Sequence, residues 1–287
     1  MLCLALSINS NAQNSAAVPR ILYGACTTDS LRKMPFSDWF TPGYENYHPD
    51  SIITDRLKKM KTDQLHIRVF FGSWCGDSKR ELPRFLKLLS SISFPSGQLE
   101  LIGVGTSDSL IKQSPAHEEA GLGVFRVPVF IVYQNGKEIN RINEFPVYSL
   151  EKDLLTIFNR QSYTPNYRSF ALVQQWLQEG TLLNDNNSIR GLAEQLRPLL
   201  STEYELNSLG YLLLKQAKKK EALQLFRINY LVYPESTNTA SSLGEGWLEN
   251  GNIPQAVIML EHSLTGNKDP EAIREILGLL YKAKKEK

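Results

Sequence analysis

The sequence predicts an α/β sandwich followed by an all-α array of helical repeats. Two observations carry this. Between 51 and 158 the hydrophobic pattern runs helix, strand, helix, strand, helix, strand, strand, helix. From 203 onward only helical periodicity remains, and it recurs about every 34 residues. At 287 residues the chain is long enough to bury two separate cores.

The leader MLCLALSINSNAQNS joins a short apolar run, 2–8, to small polar residues around Ala12 and Gln13. It reads as a secretory signal peptide truncated at its N-terminus, so 1–20 is expected to be a leader and the address periplasmic or otherwise extracytoplasmic. The run is far shorter than the roughly 20 apolar residues of a membrane span, and no span is expected in the mature chain. Residues 21–50 mix turn formers with Phe36, Trp39, Phe40, Tyr44 and Tyr47, and are expected to form an extension clamped onto the next unit by those rings.

The α/β unit is placed at 51–160. Residues 51–60 read as an amphipathic helix, and 66–71, rich in β-branched and aromatic residues, as a strand. Leu82, Phe85, Leu86, Leu89 and Ile92 give 77–92 helical spacing, while the apolar run 99–105 suits a central strand. An interrupted helix is expected over 107–123. In RVPVFIVYQNGKEINRI two strands flank Asn135-Gly136, the signal for a tight hairpin, and 149–158 closes the unit as a helix. Residues 161–202 are expected to form a helical connector, with Trp176 in its core.

The stretch FGSWCGDSKRELPRF and this order of elements resemble the thioredoxin superfamily over about 51–158. Three features carry the resemblance. Trp74-Cys75-Gly76 follows a strand and opens a helix, Pro83 lies where that helix carries a kinking proline, and Val127-Pro128 stands where the family has a cis-proline. The resemblance implies Cys75 as nucleophile, Pro128 as the wall beside an extended substrate, and Trp74, Gly76 and Val127 as the rim. A helix N-terminus favours a thiolate, and Lys79 and Arg80 add positive potential, whereas Asp77 opposes them.

The chain departs from the family pattern at Ser78, where the dithiol motif has its resolving cysteine, and at Val69, where the family buries an acid. Ser78 either supports the thiolate or holds the first helical turn. Four readings follow. One is a monothiol oxidoreductase resolved by an external thiol. A second uses Cys26 as a distant resolving residue. A third is a relative of the monothiol glutaredoxins, whose CGFS motif CGDS resembles, although Trp74 and the secretory leader count against it. The last is a redox-inactive scaffold or interaction protein on the same fold.

In the helical half, at 203–287, Leu209, Leu243 and Leu277 recur at one spacing, as do Gly210, Gly244 and Gly278. Ala222 matches Ala256 and Phe226 matches Leu260. Small residues at crossings with large ones between them resemble the tetratricopeptide repeat. Two repeats, 203–236 and 237–270, and a capping helix, 271–284, are expected, and the resemblance implies a face for a protein segment.

A formal net charge of +2 and ordinary composition give no support to a nucleic-acid partner. Three cysteines, Cys3, Cys26 and Cys75, do not make a disulfide framework or a zinc cluster, and His48, His66, His117 and His262 lack ligand spacing. Neither metal nor cofactor is expected. The expected partners are protein thiols or disulfides, a low-molecular-weight thiol and a protein segment on the repeats.

Overall fold

The computed structural model describes residues 21–107 and 110–285; the expected signal peptide, with Cys3, lies outside the described residues. Five strands form one mixed sheet: β1 (Gly24–Cys26), β2 (Leu65–Phe71), β3 (Leu99–Gly103), β4 (Val129–Gln134) and β5 (Lys137–Asn143). Their order is β1-β3-β2-β4-β5. Strands β2 and β3 run parallel, with Val69 opposite Leu101, and the remaining pairs are antiparallel. The turn between β4 and β5 places Asn135 at φ 52° and Gly136 at φ 75°, the left-handed conformations a two-residue hairpin requires.

Alternation along the strands splits the sheet's side chains between two cores. Ile67, Val69, Phe71, Leu101, Phe130 and Val132 face one side. There they meet α2 (Ser37–Glu45), α3 (Ser51–Lys58), α4 (Gly76–Ser91) and α5 (Leu150–Phe158), which follow the short α1 (Thr28–Leu31). Phe70, Ile102, Val129 and Ile131 face the other side, against Val104, Val124 and Val127.

Two expectations change here. The aromatic extension does pack onto the unit that follows, with Phe40 fully buried and Tyr47 donating to Glu151 Oε1 at 2.6 Å, but it also supplies β1 to the edge of the sheet. The helix expected at 107–123 does not form among the described residues, where the chain runs in turns. Lys112, His117, Gly121 and Gly123 all have positive φ, which no helix accommodates. The Ser114 hydroxyl is taken up by Glu118 and Glu119 instead.

The rest is helical: α6 (Ser169–Glu179), α7 (Ile189–Leu196), α8 (Glu203–Lys215), α9 (Lys219–Val232), α10 (Thr237–Glu249), α11 (Ile253–Gly266) and α12 (Pro270–Lys285). The pairs α8–α9 and α10–α11 begin at equivalent points of the sequence period. A Cβ on Gly210 would lie 2.4 Å from Phe226, and one on Gly244 2.7 Å from Leu260, so each glycine lets its helix lie against the large residue opposite. Trp176 is buried in the core shared by α6 to α9. No described helix is long and apolar enough to cross a membrane.

Candidate functional site

Strand β2 passes into α4 through Gly72-Ser73-Trp74-Cys75. Gly72 has a steric reason: the Trp74 ring lies over it, 2.7 Å from where a Cβ would stand. The indole Nε1–H donates to Val104 O at 3.1 Å, which holds the ring across the end of the sheet. Cys75 is the N-cap of α4, with extended backbone (φ −84°, ψ 130°), its N–H on Gly72 O and its carbonyl accepting from Lys79 N. Its side chain does not cap the helix, so the first-turn N–H groups and the helix dipole stand beside the sulfur.

The Cys75 thiol donates to Val127 O at 3.3 Å. The Val127–Pro128 bond is cis, and both residues are buried. Trp74 and Cys75 are half-buried and Gly76 is exposed, so access to the sulfur is from the Trp74–Gly76 side. Four of the residues singled out in the sequence, Trp74, Cys75, Gly76 and Val127, thus converge with Pro128 on one spot.

Ser78 belongs to the scaffold of this turn. It is fully buried, and its Oγ accepts the Gly72 N–H at 3.1 Å, tying the first turn of α4 to the end of β2. Asp77 is neutralised locally by Arg80, 2.8 Å away, whose Nε also meets Glu81 at 2.5 Å. Arg80, expected to add potential at the thiol, is therefore engaged by two carboxylates. Val69 is fully buried in the helix-covered core.

Cys26 does not reach the site. In β1 it stands opposite Leu101 and packs against the core on the α2–α5 side, whereas Cys75 packs against the core on the other side of the sheet. Both thiols are free. Burial pushes the Cys26 thiol up, only partly offset by a backbone hydrogen bond from Gly103, which is the opposite of activation. The two thiols thus pack against different cores.

The geometry adds residues that sequence reasoning missed. Lys112 reaches in from the turn-rich segment, its Nζ donating to Phe125 O at 2.9 Å. Its pKa is brought down to about 8, chiefly by burial and next by nearby Arg126, against the opposing pull of Glu144 and then Cys75. Arg126 bonds Ser208 Oγ on α8 at 2.8 Å and Glu144 Oε1 at 3.4 Å, and its guanidinium lies 5.3 Å from the Tyr167 ring centre. Tyr167 in turn donates to Glu144 and stacks on Phe170. Phe125 packs edge-on against Phe170, inside the core of the helical half.

Chemically this is one accessible sulfur with a carbonyl partner, a helix N-terminus and a nearby buried ammonium. It suits nucleophilic sulfur chemistry with a single thiol. Among the described residues there is no cluster of three or more His, Cys, Asp or Glu side chains placed to hold a metal ion. No protein-family model matches the chain, and no curated protein matches it.

Proposed function

We propose that this chain is a thioredoxin-like, monothiol thiol–disulfide exchange protein acting outside the cytoplasm, with a tetratricopeptide-like array that holds a protein partner. The observation that carries the reading is Cys75 at the N-cap of α4, its sulfur on the Val127 carbonyl and, among the described residues, no second thiol within the site. The Cys75 thiolate attacks a substrate disulfide, forming a mixed disulfide and releasing one substrate sulfur as thiolate. A thiol from another molecule then attacks that bond, freeing Cys75 and taking its place in a disulfide with the substrate sulfur. Ser78 anchors the turn through its Oγ, which accepts the Gly72 N–H. The α/β architecture, the site geometry and the motif support the thioredoxin-like assignment; the glycine crossings at Gly210 and Gly244 support the repeat assignment. The address rests on the composition of the leader.

A second reading, a redox-inactive interaction scaffold, draws on a different observation. Val127 and Pro128 are buried, and the neighbouring Arg126 is bonded to α8, so one flank of the cysteine is covered by the helical half. Rapid alkylation of cells followed by non-reducing capture of the full chain separates the two. The exchange reading expects mixed disulfides with wild type and with Cys26→Ser, and none with Cys75→Ala. If wild type captures no partner through sulfur, the scaffold reading replaces it.

A further inference from the structure

We infer that Lys112 is a positioning residue for the Cys75 thiolate: its ammonium, fixed on the Phe125 carbonyl behind the thiol, is the cation against which that sulfur ionises. The inference rests on the reading of Cys75 as a reactive thiol and names the group that sets its charge.

The position of Lys112 is built by the fold. The turn that carries it is pinned to the strand end by Lys112 N–H to Gly105 O (3.1 Å) and Gly105 N–H to Gln113 O (2.9 Å). From the other side, Gln216 at the end of α8 donates to Ile111 O at 3.3 Å. Lys112 itself sits at φ 56°, a left-handed conformation held by these contacts. Its side chain then crosses to Phe125 O, two residues before the carbonyl that receives the Cys75 thiol.

Two other cations of this region are already engaged. Arg80 is engaged by Asp77 and Glu81, and Arg126 by Glu144 and Ser208. The hydrogen bond of Lys112 goes to a neutral carbonyl, so its charge is not cancelled by that partner. The groups acting on it are Arg126 and Lys215, both cationic, Glu144 and Cys75. His117, Glu119 and Lys218 line the outer part of the same cleft, between the turn-rich segment and the helical half. Glu144 is the inner carboxylate of this group, and a thiolate at Cys75 would add a second negative charge. Opposed charges interact most strongly where water is excluded.

The test uses the full chain carrying Cys3→Ser and Cys26→Ser, so that Cys75 is its only thiol. Iodoacetamide reaction rate is measured against pH for this parent and for Lys112→Met, Lys112→Gln and Lys112→Arg. The two neutral variants should raise the midpoint by about one pH unit, which is a roughly tenfold loss of rate well below the midpoint; Lys112→Arg should stay close to the parent. Midpoints in Lys112→Met and Lys112→Gln equal to the parent's overturn the inference.

Coupling is reciprocal, so a second measurement decides the matter if the neutral variants do not fold. The Lys112 ζ-amine titration, followed by NMR in the parent, should move down when Cys75 is replaced by Ala; an unmoved titration also overturns the inference. The underlying reading fails separately. A Lys112-dependent alkylation profile without mixed disulfides keeps Lys112 in its role and removes exchange. Mixed disulfides without Lys112 dependence do the reverse.

Discussion

At Lys112 a half-buried ammonium has a neutral carbonyl for its hydrogen bond, and the consequence for stability has a definite sign. An unfolded lysine titrates near its ordinary value of 10.5, the folded one near 8. Below about 8 both states are protonated and the full penalty of burying the charge is present. Between about 8 and 10.5 the unfolded chain holds the extra proton, so stability rises with pH, and above that the penalty is gone. The unfolding free energy of wild type relative to Lys112→Met should therefore climb by about 2–3 kcal/mol from pH 7 to pH 10.5. Denaturant titrations of the pair at several pH values check this; a pH-independent difference contradicts the burial described here. Lys112 was invisible in the sequence because nothing in IKQSPAH marks it. Its role comes from a turn folding back on residues 125–127, a contact with no local signature. Cys75, by contrast, was legible, since strand, Trp-Cys-Gly and helix are consecutive in the chain.

Helix crossings set the geometry of the C-terminal half, and glycines make the closest of them. Gly244 faces Leu260 at 2.7 Å from a would-be Cβ, whereas a Cβ at Gly278 meets nothing within 4 Å. The same Gly→Ala change should have opposite signs at the two positions. Gly244→Ala should destabilise by about 1–3 kcal/mol through overpacking, and Gly278→Ala should stabilise by up to about 1 kcal/mol from helix propensity alone. Thermal or denaturant unfolding reads both; equal effects would show that the repeat period does not correspond to helix contacts. This period was legible because a repeat writes each contact more than once. The three-residue strand β1 was not, being too short to show alternation. The helix expected at 107–123 does not form because Lys112, His117, Gly121 and Gly123 take positive φ, which sequence periodicity does not reveal.

Across the whole molecule, the strip from Lys112 to Pro128 belongs to both halves. Phe125 lies in the helical core, Val127 in the sheet's core, and Arg126 spans to Ser208 between them. Disturbing the strip should be felt on both sides. Phe125→Ala should cost about 3–5 kcal/mol as a large-to-small core change. It should also raise amide exchange in α6 and α8 as well as around Cys75. Hydrogen-exchange mass spectrometry tests this; protection lost only within 110–128 would mean that the halves are joined without being coupled. Sequence periodicity identified the two halves but not this seam, since a joint between units is made of residues whose neighbours in space are far away in the chain.

The Gly72–Ser78 hydrogen bond bears on whether a second thiol could be accommodated beside the first. A thiol at position 78 would complete a C-x-x-C motif, yet the hydroxyl there is buried and accepts the Gly72 backbone N–H. Sulfur is a weaker acceptor and a larger atom. Placing a second cysteine there would thus loosen the turn that presents the first. Position 78 is a poor seat for a second thiol, whatever chemistry Cys75 performs.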